Sequence, residues 1–112
     1  MIGQRVPFRN ALIPHEKITH YLLDPDHPDG GSKARFFLAH GFRADAPMML
    51  ADSLFEHIAT NPVTGIRHGR WGAQLAVEGP MAMPDGSRRT ILSVWLHQET
   101  GDGVLVTAYP LR

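Results

Sequence analysis

The sequence predicts an α+β fold, with N-terminal helices packed on one face of a three- to four-stranded antiparallel sheet. Three observations lead there. Apolar residues recur at helical spacing between His15 and Ala59, and they alternate as strands do from Trp71 onward. Short turn signals rich in Asp, Gly and Pro separate the later runs, so the strands follow one another as hairpins. Helices followed by a meander bury their apolar stripes best against one face of that meander. The chain has 112 residues, with 43% hydrophobic and 20% charged. That composition is globular rather than disordered, and a single domain over 1–112 is expected.

Residues 1–14 read as an irregular lead-in, with Ala11-Leu12-Ile13 a short apolar contact before Pro14. Ile18, Tyr21 and Leu22 make a helical stripe from His15 to Leu23, which Asp24-Pro25 and Pro28 end. The loop through Gly31 combines rigid prolines with permissive glycines. Ser32 is placed to cap a second helix, Lys33 to His40, with Gly41 as its left-handed stop. A third helix is expected from Ala46 to Ala59, capped by Asp45, with Pro47 in its first turn. Strands are expected over Trp71–Met83, Thr90–His97 and Val104–Tyr109. Pro84-Asp85-Gly86 and the glycine-rich stretch after Glu99 form the turns, and Pro110 closes the last strand. Both faces of Thr90–His97 are largely apolar, which marks a central strand.

Several function classes are excluded or disfavoured. The chain has no cysteine, hence no disulfide, thiolate zinc site or cysteine nucleophile. It begins without a signal-like apolar run and contains no stretch long enough to span a membrane, so a cytoplasmic location is expected. Its formal net charge is zero, unlike a sequence-independent DNA coat, although a local basic cleft remains open to it. No phosphate loop, dinucleotide fingerprint or nucleophile elbow is present, and no cofactor is expected.

Two groups of residues carry possible chemistry. Lys17 and His20 lie three apart on the first helix, His27 sits in the proline loop, and Lys33 begins the second helix. A helix start favours anions, and Gly30-Gly31-Ser32 would leave backbone N–H groups accessible to a phosphate. A lysine there opposes the helix dipole, which slightly favours a binding role over a structural one. The plain alternative is that both lysines are solvated and both histidines cap or pack. Arg88 and Arg89 open the central strand, and only one of them can face a shared cleft. Thr107 and Tyr109, two apart on the last strand, project from one face. The other five of the seven histidines (His15, His40, His57, His68 and His97) are scattered without metal-ligand spacing, and their plain reading is structural. Met48, Met49, Met81 and Met83 read as core filler.

The run from Lys17 through Tyr21-Leu-Leu-Asp-Pro-Asp-His27-Pro-Asp-Gly-Gly-Ser-Lys33 to Phe37 resembles a bacterial family known only as a domain of unknown function. So do Gly41-Phe42, Gly79-Pro80, Pro84-Asp85-Gly86, Val94-Trp95 and Val106-Thr107-Ala108-Tyr109-Pro110. More distantly, the order of elements resembles the barnase–EndoU–colicin–RelE superfamily of metal-independent ribonucleases, many of them toxins. Sites in that superfamily combine His or Lys from the helical part with Arg, Thr or Tyr from the sheet. The matching positions are Lys17, His27, Lys33, Arg89, Thr107 and Tyr109.

Two readings follow. In the first, the chain is an endoribonuclease, the toxin of a toxin–antitoxin pair, with RNA as substrate and a cognate antitoxin as partner. Lys17, His27 and Tyr109 would be catalytic, while His20, Lys33, Arg89 and Thr107 would bind substrate phosphate. Trp71 or Tyr109 would stack a base. In the second, it is a non-catalytic interaction module, an immunity or accessory protein. Convergence of these side chains in one concave site is what separates the two.

Overall fold

The computed structural model describes residues 1–111. Its elements run β1 (Ala11–Leu12), α1 (His15–Lys17), a π-helical turn (Ile18–Leu22), α2 (Gly31–Ala39) and α3 (Pro47–Thr60). The strands β2 (Val63–Gly69), β3 (Gly72–Ala82), β4 (Arg88–His97) and β5 (Gly103–Pro110) complete the chain. The sheet order is β1-β5-β4-β3-β2, so β4 is indeed the central strand. Strands β2 to β5 are antiparallel neighbours, whereas β1 adds to β5 in parallel.

The α+β class and the helices-first order hold, with three differences from the sequence expectation. The sheet has five strands rather than three or four. β2 went unseen because it is an edge strand carrying Thr64, Arg67 and His68, with no apolar alternation to reveal it. β1 is two residues long and exists only because β5 offers Gly103 and Val104 as partners. The helix caps also differ. Gly30 and Ala46 hold the N-cap positions of α2 and α3, without side-chain cap bonds. Asp45 instead pairs with Arg43 at 2.6 Å, and Ser32 lies inside the first turn of α2.

The core forms where the inner face of the sheet meets the helices. Leu75, Val77, Ile91, Trp95, Leu105 and Ala108 from the sheet pack with Ile18, Leu22, Phe37, Leu50, Leu54 and Ile58. Each fully buried Leu or Ile contributes about 1.5–3 kcal/mol relative to exposure. Met81 and Met83 belong to this core, but Met48 and Met49 are exposed at the start of α3. Those two fall on the helix face turned from the sheet, opposite Leu50 and Leu54.

A buried polar chain ties α3 to β3 and β4. Trp95 Nε1 can only donate, and it donates to Ser93 Oγ at 2.9 Å. His57 Nε2 donates to the carbonyls of Gly79 and Ile91, at 3.1 and 3.0 Å. Its Nδ1 therefore accepts the Ser93 hydroxyl proton at 3.1 Å. Every member is satisfied when the imidazole is neutral. Burial pushes the His57 pKa below its ordinary value, against the raising effect of the two carbonyls.

Candidate functional site

β1 ends opposite Val104, while β5 continues to Pro110. Past that point α1 and the start of α2 lie against β5. The register between β4 and β5 slips here: Trp95 pairs with Leu105 and Val94 with Thr107, leaving Val106 as the extra residue of a bulge. A bulge re-aims the side chains beside it. Leu105 and Ala108 both stay buried across it, and Thr107 is delivered to the helices.

Tyr21 is the centre of the resulting cluster. Its hydroxyl accepts from Lys33 Nζ at 2.8 Å and shares a 3.0 Å hydrogen bond with Thr107 Oγ1. The ammonium groups of Lys17 and Lys33 each lie 5.1 Å from the centre of the Tyr21 ring. Partial burial raises the Tyr21 pKa, but the bonds to Lys33 and Thr107 and the charges of Lys33 and Lys17 outweigh it. The net direction is below an ordinary phenol. Lys33 Nζ is also 5.9 Å from the Tyr109 ring, which borders it on the far side.

The π turn positions Tyr21. The Leu23 N–H bonds to the Ile18 carbonyl five residues back, at 2.8 Å, widening the helix at this point. The following loop then folds onto the ring. A Cβ on Gly30 would come within 2.6 Å of the Tyr21 ring, and one on Gly31 within 2.6 Å of the Pro25 carbonyl oxygen. Only glycines allow so close an approach.

His27 stands edge-on to Tyr21, with ring centres 5.0 Å apart. Its Nδ1 accepts backbone N–H groups of Asp29 and Gly30, at 3.0 and 2.9 Å. The neutral ring therefore carries its proton on Nε2, which makes no hydrogen bond among the described residues. Lys17, Tyr21, His27 and Thr107 line one open depression with Pro14, Glu16, Asp29 and Val106. Lys33 and Tyr109 line an adjoining one with Ser32 and Pro110. Glu16 and Asp29 give the first depression mixed charge.

The structure thus brings Lys17, His27, Lys33 and Thr107 around Tyr21, with Tyr109 beside Lys33. His20 is exposed on the π turn and has no side-chain hydrogen bond among the described residues. Arg89 is elsewhere: its guanidinium meets His40 and Phe36, toward the C-terminal end of α2. Trp71 is 79% exposed in the β2–β3 turn, where it meets Arg70 rather than the cluster. Tyr21 itself was missed, because its helical spacing with Ile18 and Leu22 reads as core. The available signal was its position four residues after Lys17, on the same helical face.

Chemically, two ammonium groups around a phenol favour an anion, whether a bound phosphate or the phenolate. Among the described residues, no three His, Asp or Glu side chains gather as a metal site, and no helix is long and apolar enough to cross a membrane.

Comparison with known proteins adds a family and a fold. No curated protein sequence matches the chain. A similar solved chain comes from the contact-dependent growth inhibition toxin–immunity protein complex of Klebsiella pneumoniae 342. The TM-score is 0.70 at 14% identity, covering 88% of this chain and 98% of that one. At that identity the likeness is one of fold. Residues 7–112 match a family described as a domain of unknown function. With nearly the whole length matched, the chain belongs to that family, DUF6883.

Proposed function

We propose that the chain is a metal-independent endoribonuclease, acting as the toxin of a toxin–antitoxin pair with a cognate inhibitor protein as partner. The observation that carries this reading is the Tyr21 hydroxyl held between Lys33 Nζ and Thr107 Oγ1. An RNA phosphate would bind against Lys17 and Lys33. Tyr21, through the fraction of phenolate that its lysines favour, takes the proton of the ribose 2′-hydroxyl. The freed oxygen bonds to phosphorus, and the bond from phosphorus to the 5′-oxygen breaks. The Lys17 ammonium gives that leaving oxygen its proton, and Lys33 stabilises charge on the phosphorane. A 2′,3′-cyclic phosphate and a 5′-hydroxyl result.

The sequence assigned His27 a proton transfer; in this reading it holds substrate instead. Protonating Nδ1 would forfeit two backbone hydrogen bonds, so the ring serves better as an Nε2–H donor to a phosphate oxygen. Thr107 fixes Tyr21, and Tyr109 offers a ring face for a base. The fold likeness to a chain of a toxin–immunity complex fits a toxin and an immunity protein alike.

One observation favours the interaction-module reading. The outer face of the sheet leaves Ala76, Leu92, Val94 and Leu96 half-exposed, a surface suited to a protein partner.

Expression in bacteria separates the two, with growth and total RNA integrity followed. Growth arrest with discrete RNA fragments from wild type, lost in Tyr21→Phe and Lys33→Ala, supports the nuclease. Healthy growth and intact RNA with folded wild-type protein refute it and leave the module.

A further inference from the structure

Arg89, Phe36 and His40 form a second cluster that the Tyr21 site does not use. His40 Nδ1–H donates to the Phe36 carbonyl at 3.0 Å, so its Nε2 is the acceptor for Arg89 at 3.0 Å. The His40 ring packs on Phe36 with centres 4.4 Å apart. The Arg89 guanidinium lies 5.7 Å from the centre of the same Phe36 ring. This fixes an exposed arginine in place while, among the described residues, engaging one of its five N–H groups. Asp85 is close by, but its carboxylate is turned to Ser87, accepting from both its backbone N–H and its hydroxyl.

The cluster is in line with the first site. Lys33, Phe36 and His40 fall at i, i+3 and i+7 of α2 and its C-cap, on one helical face. Lys33 touches the Tyr109 ring on β5. Leu111 bonds to Thr90, the neighbour of Arg89, at 2.9 Å. The end of β5 therefore runs beside α2 from Lys33 toward Arg89. Along α2 the seven-residue step from Lys33 to His40, the partner of Arg89, rises about 10 Å, the reach of a short stretch of strand rather than of one phosphate.

Resting on the nuclease reading above, we infer that Phe36, His40 and Arg89 form a second subsite. It holds a backbone phosphate of single-stranded RNA beyond the nucleotides at the cleaved bond. Arg89 meets the phosphate with the guanidinium N–H groups not turned to His40. Tyr109, beside Lys33, stacks an intervening base, which a duplex would keep hidden.

The test uses single-stranded oligoribonucleotides of two to six nucleotides, 2′-O-methylated so that no attacking hydroxyl remains, with binding read by fluorescence anisotropy. Wild type should gain about tenfold in affinity from the shortest to the longest, a charge-assisted contact's worth. Arg89→Gln should lose that gain, and its salt dependence on the longest probe should be shallower by about one phosphate contact. Arg89 is exposed, and matched circular dichroism spectra would show the variant folded. An unchanged length gain in Arg89→Gln overturns the subsite and leaves the nuclease reading standing. Failure of wild type to bind at any length overturns both.

Discussion

Lys33 Nζ reaches the Tyr21 hydroxyl at 2.8 Å, closing the loop between the π turn and α2 onto the edge of β5. Because Lys33 and Lys17 favour the phenolate, Tyr21 should ionise at lower pH than an ordinary phenol in an ultraviolet titration, and Lys33→Met should move it upward. For stability the sign is that of an acid with a depressed folded pKa. The added stability is full above the unfolded phenol's pKa and lost as pH falls through the folded one, so it belongs to alkaline pH. A Tyr21 whose ionisation is unmoved by Lys33→Met would contradict the contact.

His57 makes the opposite end of the pH range informative. Its folded pKa is depressed by burial, from an ordinary 6.5. Its contribution is therefore full above the unfolded value and is lost as pH falls toward the folded one, as the unfolded chain takes up the proton first. Urea midpoints should drop between neutral and mildly acid pH in wild type, and drop less in His57→Gln. Equal drops would mean that other groups govern acid stability.

Gly79 faces Asn61 across the α3–β3 contact, and a Cβ there would overlap the Asn61 amide. Asn61 cannot swing aside freely, because its Nδ2 donates to the carbonyls of His57 and Pro80, at 2.9 and 3.1 Å. Gly79→Ala should destabilise by about 1–3 kcal/mol, as overpacking does. Chemical denaturation measures this, and a neutral outcome would show that α3 can shift from β3.

The two tryptophans should report separately. Trp95 is fully buried and Trp71 is 79% exposed. Trp71→Phe should remove the red-shifted, acrylamide-quenched part of the fluorescence and change stability by no more than about 0.5 kcal/mol. Loss of RNA binding in this variant would reinstate Trp71 as a stacking residue.

Much of this protein follows from its sequence alone, because apolar periodicity reports which face of an element is buried. Ile18 and Leu22, Ala51, Leu54 and Ile58 of α3, and Ile91, Ser93 and Trp95 are buried as that periodicity predicts, whereas Met48, on the same predicted stripe of α3, is exposed. The class, the order of elements and the central place of β4 follow. Residue chemistry likewise picked out Lys17, His27, Lys33 and Thr107, now found around one tyrosine, and Tyr109, now found beside Lys33. Tertiary structure decided the rest. β1 and β2 are strands because a neighbour pairs with them, and neither carries the apolar alternation of a buried strand. Arg89 is turned to His40 and Phe36 by packing 49 residues away in sequence. Tyr21 has the spacing of a core residue, and only Thr107, 86 positions distant, with Lys33 turns it into a polar centre. Local sequence encodes burial; a site assembled across that separation exists only once the chain has closed.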